Sequence, residues 1–538
     1  MATSIRLSLT LSGGASLGAY QAGATAALLR AVRHIEQDEE DRVVVDAIGG
    51  ASAGAIVGLS AAYALLEGIE PSQLLRGAWV DGVSLELLRG SGGRAPLTFD
   101  RLRDQVPDLL EPRDEAGEPA HRLDWRQEHP ISLHVALTGL GGLSYPIQAL
   151  RHESPITGAT YSDWGRFDLQ PGGGLDQVLE PEGKAPIDFV LASSSHPGGF
   201  APRAIDRSDD AEGYRARGVE NFSDSGTLWY TDGGLLQSQP LGRVIALAEA
   251  AARDEGDDSA RVHLLIDPRS EDPEGSHEWS EPDYDPSWQV GLARALAILP
   301  SQVLYEDLRR IEKDNSRLGW ADQLVEALVP HLGDGAGDAL RKVIEEIDSA
   351  RGELRSDEPE VEDSRYRDHD DENAQLLRRA IDEISGLAGE REVAVDVISP
   401  LVMADEEPGG SVTSLLAGEL IGDFGGFLSK ELRASDFGLG YESVVKWLPD
   451  ALRRAGIDDD AADRTVAAVK EGRLYDLEEV HRGSAELGDL PWRARLELAR
   501  QGLQTARVLA SGAADMRQLT DRLNGVGRRL RDALPGRR

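Results

Sequence analysis

Asp46-Ala47-Ile48-Gly49-Gly50-Ala51-Ser52-Ala53-Gly54-Ala55-Ile56 is the stretch whose reading decides the fold. Immediately upstream, Arg42-Val43-Val44-Val45 is β-branched and flows into apolar sequence, the pattern of a buried strand. Downstream, residues 53–66 are rich in Ala and Leu and contain no Pro, the pattern of a helix. Between the two, Gly50-x-Ser52-x-Gly54 has the form of a nucleophile elbow. Small flanking residues permit a sharp turn, which lifts the Ser hydroxyl above the sheet beside the positive end of the following helix. In a Gly-rich chain this spacing also arises by chance, but a strand-to-helix junction makes it far less ambiguous. The competing reading is a Ser that only caps a core helix of an ordinary α/β domain.

Working outward toward the N-terminus, Ile5 to Leu11 alternates apolar and polar and reads as a strand, followed by Ser12-Gly13-Gly14-Ala15-Ser16-Leu17-Gly18 and a helical pattern to about His34. A glycine-rich strand-to-helix turn leaves backbone N–H groups free near a positive helix end. A dinucleotide loop needs Gly-x-Gly-x-x-Gly, and Ala15 breaks that spacing. An oxyanion hole needs only unpaired backbone donors near the nucleophile, and this loop precedes the Ser52 unit by one βα step. The second reading fits better.

Toward the C-terminus, residues 71–94 and 107–130 are rich in Pro, Gly and charge and read as surface connections. Residues 131–140 form the next strand, and a short helix ends at Pro197. The unit Leu228-Trp-Tyr-Thr-Asp232-Gly233-Gly234 is an aromatic strand stopped by Asp-Gly-Gly, with a helix from Leu241. Residues 262–268 are another strand. From Trp288 to about Ala350 the chain is helical, residues 356–371 are an acidic connection, and residues 392–400 return as a strand ending, like residues 262–268, in Pro. The remainder from about Val412 is helical. Its last stretch, residues 491–538, has eleven arginines against four acidic residues, a net charge of +7. With Leu519, Leu523, Val526 and Leu530 at helical spacing it reads as a basic amphipathic helix. Such a helix sits on a membrane periphery or packs on the acidic body of its own protein.

Composition narrows the function classes. The 538 residues are 40% hydrophobic and 28% charged, as in a globular protein with more than one small domain. There is no Cys, so disulfides, thiolate zinc sites and a thiol nucleophile are excluded. A net charge of −38 argues against nucleic-acid binding and against whole-surface attraction to anionic membranes. The N-terminus lacks the basic and apolar regions of a signal peptide, and no run of about 18 apolar residues occurs; the expectation is a cytoplasmic protein.

A Ser hydroxyl needs a base. None of the eleven histidines lies in a recognisable catalytic context: His134 and His263 fall within strands, His369 in the acidic connection, and His196 in a Gly/Pro loop where it can line a site. Asp232 is the better base, because it stands at a strand end before two glycines that let the backbone expose its carboxylate. Taken alone, Asp-Gly-Gly is equally a plain turn.

In combination, Gly13-Gly14-Ala15-Ser16-Leu17-Gly18, Gly50-Ala51-Ser52-Ala53-Gly54 and Asp232-Gly233-Gly234, in that order, resemble the patatin-like phospholipase family. Ala192-Ser193 with Pro197-Gly-Gly-Phe200-Ala-Pro202 is similar to the family's segment before the Asp. The resemblance covers roughly residues 4–270. Residues 416–430 with Arg433, Asp436 and Gly440 look like the C-terminal region of a longer bacterial patatin-related subgroup.

The resemblance implies a three-layer α/β/α core with a mostly parallel sheet, plus a large helical insertion and C-terminal region. It implies a Ser52–Asp232 dyad without His that forms an acyl-enzyme, with Gly13, Gly14 and Ala15 as the oxyanion hole. Gly50 and Gly54 make the elbow, and Gly233 and Gly234 support the Asp. Leu17 stands where many members carry a basic residue, Ala15 where many carry a third glycine, and Ser238 where Asn is common. The implied activity is lipid acyl hydrolysis, phospholipase A-like; an esterase or transacylase on other acyl substrates, or a weakly active scaffold, are the alternatives. No metal or cofactor is expected. The implied partner is a lipid or other acyl ester, with peripheral membrane contact through the basic C-terminal helix and no nucleic acid; a homo-oligomer is left open. The expected division is a catalytic domain at 1–300, a helical insertion or lid at 301–390, and a returning strand with a helical region at 391–538.

Overall fold

The computed structural model describes residues 4–477 apart from 39–41, 90–94, 113–119, 148–155, 224, 256–258, 269–287, 334, 355–370, 388–391, 405–414 and 420–422. The basic stretch 491–538 and the acidic connection with His369 therefore lie outside the described residues.

Eight strands form one mixed, mostly parallel sheet. β1 (Ser4–Leu11) lies between β2 (Arg42–Gly50) and β7 (Ala260–Ile266), parallel to both; β3 (Ile131–Ile147) extends the parallel set beyond β2, and β8 (Val395–Ile398) extends it beyond β7. The long strand β4 (Ile156–Leu169) runs antiparallel to β3. β6 (Thr227–Thr231) pairs antiparallel with the middle of β3 at Thr138 and Gly139, and β5 (Arg203–Asp206) flanks β6. The central strands are buried on both faces: β2 is a nearly continuous apolar run, while β1 alternates leucines with Ser8 and Thr10, which are buried as well.

Helices cover both faces. α1 (Gly18–Asp38) and α2 (Ala53–Glu67) join the first three strands and pack on one face, together with the helix Pro186–Ser193. On the opposite face the helix Leu241–Glu255 places Val244 and Ala248 against Ala47 of β2. The C-terminal helix Lys430–Arg454 lies behind α1 and shares its hydrophobic core through Phe437, Leu439, Tyr441, Val444 and Leu448. The two backbones approach very closely where they cross: a Cβ on Gly23 would lie 1.8 Å from the Phe437 carbonyl oxygen, and one on Gly440 would lie 1.9 Å from that of Tyr20. Only glycine fits at either position.

Two local readings are corrected. Residues 71–94 are not a surface connection in their described part: Pro71–Arg76, a π-helical turn Gly77–Gly82 and Leu85–Leu88 are helical, and Leu74, Leu75, Trp79, Val80, Val83 and Leu88 are buried. The Pro and Gly residues there punctuate short helical turns whose apolar faces are absorbed by the core. Residues 107–130 begin inside the helix Asp100–Leu110, which buries Leu102, Val106 and Leu110. Strands β4 and β5 were not expected. In β4, Gly158, Asp163 and Gly165 dilute the strand pattern, but the buried Asp163 Oδ2 accepts from the hydroxyls of Tyr214 and Tyr230, each 2.6 Å away.

His134, on β3, is fully enclosed, and neither ring nitrogen finds a hydrogen-bond partner among the described residues. Burial, with Arg243 and Arg166 nearby, pushes its pKa down to about 3. The folded chain thus holds it neutral, while an unfolded His titrates near 6.5. Between those values the unfolded state binds the proton and the native state does not, so stability falls as pH falls, by about 1.4 kcal/mol per pH unit. Between pH 6.5 and 5, His134→Leu is expected to lose about 2 kcal/mol less than wild type in urea unfolding. Parallel losses in the two proteins would show that the ring is not held neutral.

Candidate active site

β2 ends at Gly50, and the chain reverses through Ser52 into α2. Ser52 adopts φ 53, ψ −123, a left-handed backbone that a residue with a side chain rarely takes. The neighbours must be glycine to let this happen: a Cβ on Gly50 would lie 2.5 Å from the Gly54 backbone, and one on Gly54 would lie 2.3 Å from the Leu11 carbonyl oxygen. The alternative in which Ser52 merely caps α2 fails, since its side chain makes no cap hydrogen bond. The hydroxyl instead donates to Asp232 Oδ2 at 2.8 Å.

Asp232 arrives there because β6 runs antiparallel to β3 and comes down toward the elbow, ending at Thr231. Its carboxylate is buried, and the Gly234 amide donates to Oδ1 at 2.7 Å, leaving Oδ2 to face Ser52. Gly233 passes so near β3 that a Cβ would lie 2.0 Å from the Ala136 carbonyl oxygen. The Asp-Gly-Gly unit is therefore more than a turn: its glycines aim the carboxylate.

The glycine-rich loop stands beside the pair. A Cβ on Gly13 would come within 3.6 Å of Ser52 Cβ. Of the three amides expected as oxyanion donors, that of Gly13 already donates to the Ser238 carbonyl at 2.8 Å. The amides of Gly14 and Ala15 donate to no partner among the described residues. Ala15 sits at φ 44, a left-handed conformation that a glycine would adopt without strain.

Several supporting residues escaped the sequence reading. Ser193 Oγ accepts the Ser52 amide at 2.9 Å, and Ser194 Oγ donates to the Ser52 carbonyl at 3.0 Å. The Ser195 carbonyl accepts both the Asp232 amide, at 3.1 Å, and the Thr231 hydroxyl, at 2.8 Å. One serine run therefore holds the elbow and the aspartate in register. Below the glycine loop, buried Asp267 accepts from Ser12 Oγ and Gln239 Nε2, both at 2.9 Å, while Gln21 Nε2 donates to the Ser12 carbonyl. The run Ser193-Ser194-Ser195 ahead of Asp232 was a usable signal. Gln21, Gln239 and Asp267 carried none, because only the fold brings them together.

A narrow apolar cleft opens at Ser52, walled by Ala15, Ile56, Trp79, Leu88, Phe200 and Phe427 among others. His196 lines it too, with Nδ1 accepting the Gly198 amide at 3.1 Å. His263 plays a structural part, its Nδ1 2.6 Å from Ser8 Oγ. Among the described residues no three His, Asp or Glu side chains are grouped so as to hold a metal ion, and no helix is long and apolar enough to cross a membrane.

The mostly parallel sheet, covered by helices on both faces, thus carries an elbow serine hydrogen-bonded to a buried aspartate. Residues 9–245 match the family model described as Patatin-like phospholipase, and this part of the chain is a patatin-like phospholipase domain with the patatin fold. The family is one of lipid acyl hydrolases. Among solved structures, the crystal structure of VipD from Legionella pneumophila aligns over 91% of this chain and 93% of its own, at 11% identity and a TM-score of 0.19. No curated protein matches the chain.

Proposed function

We propose that the protein hydrolyses fatty-acyl esters of lipids, phospholipase A-like, with Ser52 as nucleophile and Asp232 as its base. The single observation that carries this reading is the 2.8 Å hydrogen bond from Ser52 Oγ to Asp232 Oδ2 at the mouth of an apolar cleft. Asp232 takes the hydroxyl proton as Oγ attacks the ester carbonyl carbon. The amides of Gly14 and Ala15 stabilise the developing oxyanion, an effect worth about 10²–10³ in rate per donor. Collapse breaks the bond to the alcohol oxygen, which leaves with the proton from Asp232, and the acyl group remains on Ser52. Water, deprotonated by the same carboxylate, then releases the fatty acid and restores the hydroxyl. The glycines flanking Ser52 and Asp232 support this reading because each is required by the close approach that aims its neighbour.

A fluorophosphonate probe located by mass spectrometry tests it, together with hydrolysis of p-nitrophenyl esters and mixed phospholipid vesicles. Wild type is expected to label at Ser52 and to turn over both, and Ser52→Ala to do neither. A folded wild type that neither labels nor hydrolyses leaves the scaffold reading in its place.

A further inference from the structure

The matched family segment ends at residue 245, but the cleft beside Ser52 does not. Its outer wall is made by Phe424 and Phe427, nearly two hundred residues further on. Their rings meet edge to face at 5.8 Å, and Phe424 also meets the His196 ring at 6.0 Å. Across the cleft, Phe99 and Phe200 stack in parallel at 4.1 Å, so the space is bounded by aromatic pairs.

This outer wall is fastened to the catalytic loop itself. Ser16, in the glycine-rich turn, donates to the Asp423 carbonyl at 2.5 Å and accepts the Gly426 amide at 3.0 Å. Buried Arg433 donates to the Val80 carbonyl through two nitrogens, at 2.8 and 3.1 Å, and to the Gly426 carbonyl at 2.8 Å. Asp436 accepts the amides of Ala417 and Gly418 at 2.7 and 2.9 Å. Asp423 is held at φ 70, a conformation that persists only where its surroundings enforce it. A segment anchored at this many buried points is a fixed wall. It leaves only about 40 Å³ free in the cleft. A single water takes roughly 10–15 Å³ of such space, so the cleft is tight beside Ser52.

We propose that Phe424 and Phe427 set the acyl-chain preference: they narrow the cleft beside Ser52, so that the protein still accepts the long chains of lipids but turns over short acyl groups faster. This rests on the hydrolase reading of the same site, and the proposal adds residues from outside the matched domain as the specificity wall. No residue of the insertion at 301–390 lines the cleft among those described, so the discrimination belongs to the segment around 424–427.

The test compares wild type with Phe424→Ala, Phe427→Ala and the double variant on p-nitrophenyl butyrate, octanoate and dodecanoate. Wild type is expected to favour butyrate. The double variant is expected to raise the dodecanoate-to-butyrate ratio of kcat/KM by about tenfold or more, since each methylene admitted to an apolar pocket is worth that order. Phe424→Leu and Phe427→Leu, which keep most of the packing, should shift the ratio less and guard against a folding defect. Free dodecanoate binding is measured by calorimetry in the Ser52→Ala background, with and without the two alanines. It should tighten by a similar factor, and it requires no turnover. Absent esterase activity and absent Ser52 labelling in wild type would count against the hydrolase reading alone. Unchanged dodecanoate affinity in the folded variants would overturn the proposed wall whatever the esterase result.

Discussion

Asp232→Asn is expected to lower kcat/KM for a p-nitrophenyl ester by about 10²–10⁴-fold, the usual contribution of a general base. The size follows from the geometry of one carboxylate. Gly234 N–H donates to Oδ1 at 2.7 Å, and only an oxygen can accept there. An asparagine in this position therefore keeps its carbonyl oxygen on Gly234 and turns its NH₂ toward Ser52 Oγ. That NH₂ can donate to Oγ but cannot take the hydroxyl proton, so the base is lost. Side-chain volume and the Gly234 bond survive, so the variant should fold as wild type does by circular dichroism and differ in rate. Retention of the rate within about threefold would remove Asp232 from the mechanism, and attention would pass to His196, which lines the cleft.

Gly440→Ala is expected to be the most damaging single added methyl group among the described glycines of the C-terminal half. Its Cβ would lie 1.9 Å from the Tyr20 carbonyl oxygen, where the helix Lys430–Arg454 crosses α1. The obstacle is backbone on a rigid helix, with no side chain to swing aside. Relief requires parting two helices that share Phe437, Leu439, Tyr441 and Val444 with the main core. The cost should be about 3 kcal/mol or more in urea unfolding, at the upper end of overpacking effects. Because Tyr20 follows the glycine-rich loop by two residues, any folded fraction should also lose Ser52 labelling. A loss below about 1 kcal/mol would mean that the two helices part freely and that the C-terminal half is not integral to the core.

What could be read from the residues, and what could not, divides along a physical line. The elbow was legible because its requirements are local: a β-branched run, small residues around one serine, an alanine-rich helix. The same holds for the glycine-rich turn after β1 and for the aromatic strand stopped by Asp-Gly-Gly. Even the strand at Val395–Ile398, beyond a long helical stretch, announced itself through Val-Asp-Val-Ile and a closing proline. Each is a pattern whose meaning lies within about a dozen residues.

The remainder depended on chain reversal. That Ser52 and Asp232 meet at 2.8 Å is a consequence of β6 running against β3, and nothing within either motif encodes the direction of a strand 180 residues away. The buried helical turns of residues 71–88 looked like a connection because Pro and Gly marked their ends, whereas their burial comes from α1, α2, the helix Asp100–Leu110 and, for Gly77–Gly82, also the helix Lys430–Arg454. β4 hid behind two glycines and an aspartate that only Tyr214, Tyr230 and the β3 ladder make tolerable. Gly13, one of three amides expected to point at the oxyanion, is occupied by the Ser238 carbonyl, a partner set by the loop after Asp232. Phe424 and Phe427 lay within the stretch 416–430 that resembles a longer subgroup of the family, but nothing local placed them beside Ser52. The sequence by itself determined the central strands, the sharp turn at Ser52 and the strand end at Asp232, since local sterics and hydrophobic period suffice for those. Only the tertiary structure decided what closes the cleft, because that depends on long-range hydrogen bonds from Ser16 and Arg433 that no local pattern announces.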